Sequence, residues 1–124
     1  MKKKLFRGTV VWSNAGKKAT TVSPIDFAQK MEELGVGEII VQSIERDGSM
    51  LGYDLDLITS ISKAVKIPVV ALGGAGTIEH LEQGFDQGYA NGLAAGSLFV
   101  YHGSKKGVLI NYPTKSELHF KRTV

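Results

Sequence analysis

The chain has 124 residues, 43% of them hydrophobic and 22% charged, the makeup of one soluble globular unit with a modest core rather than a disordered segment. Its 15 Lys and Arg against 12 Asp and Glu leave a net charge of +3, but the surplus gathers in Lys2-Lys3-Lys4, Lys105-Lys106 and Lys121-Arg122, a pattern of solvated ends and loops that argues against nucleic-acid binding. The absence of cysteine excludes a disulfide framework, a thiolate zinc site and a thiol nucleophile, and fits a reducing cytoplasm.

The three lysines after Met1 resemble a signal n-region for four residues only, because Arg7, Ser13 and Asn14 interrupt any apolar stretch. No run approaches the ~18 apolar residues of a membrane helix. From Thr9 to Trp12 the residues are β-branched or aromatic, Ser13-Asn14-Ala15-Gly16 carries turn chemistry, and Thr20-Thr21-Val22 resumes β character; together these predict a hairpin serving as a flap over 1–22. Trp12 reads as packing within that flap. Ser23-Pro24 then supplies an N-cap and a first-turn proline, and Phe27, Met31 and Leu34 recur at helical spacing until Gly35.

Glu38 to Ile44 is a nearly continuous apolar run of strand length, the pattern of a strand covered on both faces. Asp54 caps a second helix with Leu57, Ile58, Ile61, Ala64 and Val65 on one stripe. A second buried strand is predicted over Ile67 to Leu72, with Pro68 at its entry, and Thr77 caps a third helix with Ile78, Leu81 and Phe85 inward. A third strand is predicted within Gly92 to Val100. Strand, loop, amphipathic helix and strand is the grammar of a parallel sheet, so the class is α/β, with βα units over 23–103. In the tail, 104–124, Val108 to Ile110 has strand character and Lys115 to Lys121 has that of a short helix.

Parallel α/β sheets place ligands at the C-terminal ends of their strands. The first exit, Ser43-Ile44-Glu45-Arg46-Asp47-Gly48-Ser49, offers Ser43 and Asp47 to a ligand, with Glu45 and Arg46 placed to pair or to stabilise the loop; Asp47-Gly48 alone reads as a simple turn. The second, Gly73-Gly74-Ala75-Gly76-Thr77, runs into a helix N-terminus, where backbone N–H groups and the helix dipole favour an anion. It is weaker than a P-loop, since no lysine follows, and a tight structural turn explains it equally well. The third exit, Ala94-Ala95-Gly96-Ser97, again brings small residues and a hydroxyl. Two such exits side by side favour a phosphorylated ligand, because (βα)8 barrels often build one phosphate site from the loops after their last two strands. His80, on a helix, reads as exposed or packed rather than catalytic. His102 and His119 lack partners at ligand spacing, so neither a metal nor another cofactor is expected.

GEIIVQSIERDGSMLGYDLDLI, IPVVALGGAG and LAAGSLF, in this order and at these distances, resemble the C-terminal half of the cyclase-subunit family of imidazole glycerol phosphate synthase. The resemblance runs from about Lys2 to about Val100 and includes the hairpin KKKLFRGTVVWSNAGKKAT, which is similar to the family's loop after its fifth strand. It implies a partial TIM (βα)8 barrel, roughly strands 6 to 8 with their helices. It also implies a lyase of histidine biosynthesis, in which ammonia from a glutaminase partner adds to a bis-phosphorylated ribulosyl formimino-carboxamide nucleotide, giving imidazole glycerol phosphate and aminoimidazole carboxamide ribotide. Gly73, Gly74, Gly76, Gly96 and Ser97 would hold one substrate phosphate, Ser43, Asp47 and Gly48 would line the pocket, and Glu38 would stand at the ammonia entrance on the opposite face.

The family's two acid/base aspartates, on its first and fifth strands, have no counterpart in these residues, so no catalytic residue is assigned and a truncated, inactive half-barrel is expected. Three strands of a barrel would leave open edges and an uncovered apolar face, which predicts self-association or pairing with the missing strands. The tail FVYHGSKKGVLINYPTKSEL and Leu72, where the histidine-pathway enzyme usually has serine, resemble instead the cyclase-like paralogues of surface-polysaccharide sugar biosynthesis. A third reading is a phosphate-binding module that assembles and turns nothing over.

Overall fold

The computed structural model describes residues 2–4, 8–102, 107–108 and 110–122. Lys105 and Lys106, one of the basic pairs, lie outside them. At the N-terminal end, β1 (Lys2–Lys4) pairs antiparallel with β2 (Gly8–Val10), a pairing the sequence pattern did not suggest. The hairpin then forms from β3 (Trp12–Ser13) and β4 (Lys18–Ala19). Its turn places Asn14, Ala15 and Gly16 at φ of 54°, 53° and 76°, and Lys17 N–H closes it on the Asn14 carbonyl at 3.1 Å.

The body of the chain is α1 (Pro24–Glu33), β5 (Ile39–Gln42), α2 (Leu55–Ala64), β6 (Val69–Leu72), α3 (Ile78–Asp86) and β7 (Gly92–Leu93). The three strands form one parallel sheet in the order β5-β6-β7, with Ile39 opposite Val69 and Val70 opposite Gly92. The architecture is therefore α/β. Each helix starts on the predicted cap: the side chains of Ser23, Asp54 and Thr77 accept from Asp26, Leu57 and His80 N–H respectively. Two side chains fix β6 at its entry. Asn91 Oδ1 accepts Val69 N–H at 3.0 Å, and Glu32 Oε1 accepts the N–H groups of Lys66 and Ile67.

The core lies between the sheet and the helices. Ala28, Val41, Leu57, Ile61, Val65 and Val69 form one cluster; Tyr53, Ile58, Ala71, Ala75, Leu81 and Ala90 form a second beside it. Strand alternation then sends Ile40 and Gln42 to the opposite face, where Ile40 is 62% exposed. The expectation that β5 is covered on both faces is thus corrected: the helices cover one face, and on the other Ile40 stays exposed, with only the hairpin over the strand's exit. The stripe predicted for α1 is corrected in the same way. Ala28 is the residue it buries against the core, while Phe27 and Leu34 remain exposed.

The third strand, predicted within Gly92 to Val100, takes up its first two residues, Gly92–Leu93. After Ala94 N–H bonds the Ala71 carbonyl at 2.8 Å, the chain leaves the ladder, and Phe99 and Val100 N–H turn back to the Gly96 carbonyl to make α4 (Ser97–Val100). Leu98 packs on the second cluster, which holds this turn in place. β8 (Tyr101–His102) and β9 (Gly107–Val108) follow as a short antiparallel pair, and the predicted tail helix is a single 3-10 turn at Lys115–Glu117, closed by a capping box between Thr114 and Glu117. The last described residues are strapped along α3: Glu82 accepts His119 N–H, Asp86 accepts Lys121 and Arg122 N–H, and the Arg122 guanidinium lies 4.0 Å over the Phe85 ring.

Tyr53 ties the first strand exit to the third. It is 4% exposed, and its hydroxyl donates to the Ala94 carbonyl at 2.9 Å. Burial pushes its phenol up to about 12 from an ordinary value of 10.0. The neutral phenol's contribution to stability is thus complete below pH 10 and is lost as pH rises towards 12. Tyr53→Phe should lower stability at neutral pH by about 1 kcal/mol. It should also remove part of the alkaline loss, seen as a shallower fall of the urea midpoint across that window.

Candidate functional site

The loop after β5 runs from Ser43 to Asp54. Alternation along the strand puts Val41 and Ser43 on the helix side and Gln42 and Ile44 on the other. Ser43 is accordingly 3% exposed, and its carbonyl accepts Arg46 and Asp47 N–H at 3.2 and 2.9 Å, which starts the loop. The open face is instead lined by Gln42 and Asp47, whose side chains meet at 3.0 Å, Nε2 donating to Oδ2. With Ile40, Ile44 and the hairpin residues Trp12 to Gly16 they line a cleft of about 530 Å³. The flap therefore lies over the exit of β5, with Gly16 against the Ile44 side chain. Gln42 escaped the sequence reading, although its parity with Ile40 would have found it. Arg46 does stabilise the loop, donating from Nη1 to the Leu51 carbonyl at 3.3 Å.

The glycine turn after β6 packs beneath this loop. Gly73 and Gly74 are buried with φ of 94° and 108°, and Gly52 N–H donates to the Gly74 carbonyl at 2.7 Å. A Cβ on Gly73 would fall 2.9 Å from the Ser43 carbonyl, and one on Gly74 would collide with the Gly52 backbone. At Gly76 a Cβ would meet Met50, itself held in the left-handed region at φ 59°. The three glycines are thus required first by the packing of one loop on the other, and Gly76 N–H is engaged by His80 Nδ1 at 3.1 Å. Gly48 differs: it is exposed, at φ 72°, with open space where a Cβ would be.

Because β6 and β7 are hydrogen-bonded neighbours, the turn at Gly73–Thr77 and the exit at Ala94–Ser97 lie side by side at one end of the sheet. Gly96 is exposed with open space around it, and Ser97 begins α4. Glu38 is exposed immediately before β5, at the other end of the sheet. At the start of α3, the Glu79 carboxyl is held below its usual range by its own backbone N–H and the Thr77 hydroxyl. Among the described residues, no group of three or more His, Asp or Glu is arranged to hold a metal ion.

The two glycine exits should respond oppositely to added bulk. Gly74→Ala should cost about 3 kcal/mol or more, combining a positive φ with a backbone collision. Gly96→Ala should stay within about 0.5 kcal/mol. Chemical denaturation of the two variants checks the difference.

Residues 2–106 match the family described as "Histidine biosynthesis protein". The chain is 45% identical over 99 residues to the imidazole glycerol phosphate synthase subunit HisF of Pelodictyon phaeoclathratiforme, covering 80% of this chain and 39% of that protein. It is 44% identical over 117 residues to hisF2 of Pseudomonas aeruginosa, and 42% identical over 118 to hisF3 of Vibrio vulnificus, both provisionally named as subunits of the same synthase. Those two alignments each cover 94% of this chain, and 47% and 45% of the relatives. The chain thus spans less than half the length of the curated relatives it matches. On these grounds the chain belongs to the histidine biosynthesis protein family.

Proposed function

We propose that this chain supplies the strand 6 to 8 arc of a (βα)8 barrel in a cyclase subunit of imidazole glycerol phosphate synthase. The observation that carries the reading is the pair of small-residue exits on the neighbouring strands β6 and β7, in a chain of this family. The turn Gly73–Thr77 and the Gly96-Ser97 segment together hold one phosphate of the substrate, beside a short helix, α4, that follows the last strand. Asp47 and Gly48 border the pocket with Gln42; Ser43 acts through its carbonyl, which seats Asp47.

Glu38, at the far end of the sheet, stands where ammonia from a glutaminase subunit enters. No cofactor takes part, and the protein works in the cytoplasm. Proton transfer falls to the two family aspartates that have no counterpart in these 124 residues, so the chain by itself binds without turnover. Titration with inorganic phosphate should move the backbone amide resonances of Gly73–Thr77 and Gly96–Ser97 together and leave the remote Gly35 amide unmoved, while no ammonia-dependent product forms. Phosphate that moves neither exit would sink the binding reading; turnover would sink the claim of inactivity.

A specific observation favours a second substrate for the same chemistry. The relatives hisF2 and hisF3 align over 117 and 118 of the 124 residues, whereas the HisF relatives of Pelodictyon phaeoclathratiforme and Prosthecochloris aestuarii align over 99. Matches that long extend beyond Val100 into the tail, which supports the paralogue reading, in which the nitrogen is delivered to a surface-polysaccharide sugar.

The open face of the sheet supports an assembly. Ile40 is exposed on the edge strand β5, and β7 is the other edge. In solution the 124-residue chain covers this face by self-association or against strands of a complementary half-barrel. Sedimentation velocity should show concentration-dependent oligomers that Ile40→Asp shifts towards monomer; a wild-type chain that is monomeric at every concentration rules out self-association.

A further inference from the structure

One histidine outside the expected machinery joins the two loops that build the site. His80 lies in the first turn of α3, its N–H bonded to the Thr77 cap at 3.2 Å. Its Nδ1 accepts Gly76 N–H at 3.1 Å, so the ring proton of the neutral form resides on Nε2. The other edge of the imidazole lies against the loop after β5: a Cβ on Gly52 would fall 3.3 Å from Cδ2 and 3.4 Å from Nε2. Gly52 in turn donates to the Gly74 carbonyl at 2.7 Å. Gly76, His80, Gly52 and Gly74 thus form a closed circuit of contacts, in which the imidazole is the one side chain.

We propose that His80 is a positioning residue for the glycine turn, holding Gly76 N–H inward and the turn against Gly52, so that the turn meets an anion already shaped. The part of this that concerns an anion rests on the phosphate reading above; the tie itself rests on the contacts. A turn of glycines has many accessible conformations, and binding that had to freeze them would be weakened accordingly.

The acceptor's location makes the proposal testable by paired substitutions. Asparagine Oδ1 stands the same number of bonds from Cα as histidine Nδ1, whereas glutamine Oε1 stands one bond further, as Nε2 does. His80→Asn therefore keeps the Gly76 acceptor, and His80→Gln and His80→Ala lose it. Helix propensity runs the other way, with glutamine favoured over asparagine, so a role confined to α3 stability would rank His80→Gln above His80→Asn.

Two readouts apply to the 124-residue chain. Without phosphate, hydrogen exchange at the Gly76 amide should be slow in the wild type and His80→Asn, and about tenfold faster in His80→Gln and His80→Ala. With inorganic phosphate, Kd should stay within about threefold of wild type in His80→Asn and rise about tenfold in the other two. Equal Gly76 exchange in all four proteins, or tighter phosphate binding by His80→Ala, would overturn the proposal. Ordered exchange with no phosphate binding by any of them would support the tie and sink the phosphate reading, so the two failures are distinguishable.

Discussion

The backbone of Gly74 runs against that of Gly52, close enough for a 2.7 Å hydrogen bond and too close for any side chain on Gly74. The candidate site takes its shape from this crossing. It brings the loop after β5 down onto the exit of β6, sets Met50 over Gly76, and leaves Asp47 beside Gly73 at the edge of the cleft under the hairpin. The crossing is possible because β5 and β6 are in parallel register, so that Ser43 N–H still bonds the Leu72 carbonyl as the strands end. Displace either strand by one residue and Ser43 exchanges places with Gln42 or Ile44, which would put a polar cleft residue into the core.

Much of this was legible from residue types that have a local mechanism. Ser23, Asp54 and Thr77 cap their helices because each offers an oxygen to an N–H that the helix itself cannot satisfy. The stripe of Leu57, Ile58, Ile61 and Val65 is buried because its spacing leaves it nowhere else to face. The glycine exits were recognisable as a motif, but not for the reason they are glycine. Sequence leaves an anion site and a tight turn equally open at Gly73 and Gly74; the structure shows another piece of backbone where a Cβ would stand.

What was not legible depends on tertiary neighbours. Phe27 and Leu34 keep helical spacing yet stay exposed, because spacing reports a face and not what covers it. The extent of the third strand within Gly92 to Val100 was not legible, because it ends at Leu93 where the chain turns into α4 and Leu98 packs on the second core cluster. The strapping of Arg122 along α3 joins groups some 36 positions apart, which no local pattern encodes.

Neither carboxyl of the described residues whose proton affinity clearly departs from the ordinary value is tuned for proton transfer near neutrality. A general acid working near neutrality needs a carboxyl raised towards that range by burial or a like charge. Glu79 and Glu117 move the other way, each held down by hydrogen bonds from a backbone N–H and a threonine hydroxyl at the start of a helical turn. Asp47 is exposed at the edge of the cleft and accepts from the Gln42 amide. Parallel sheets of this kind contribute strand ends to a shared site, so chemistry and anchoring can come from different strands. Under the function proposed above, the strands present here would supply the anchoring, through small residues, backbone dipoles and a tied turn.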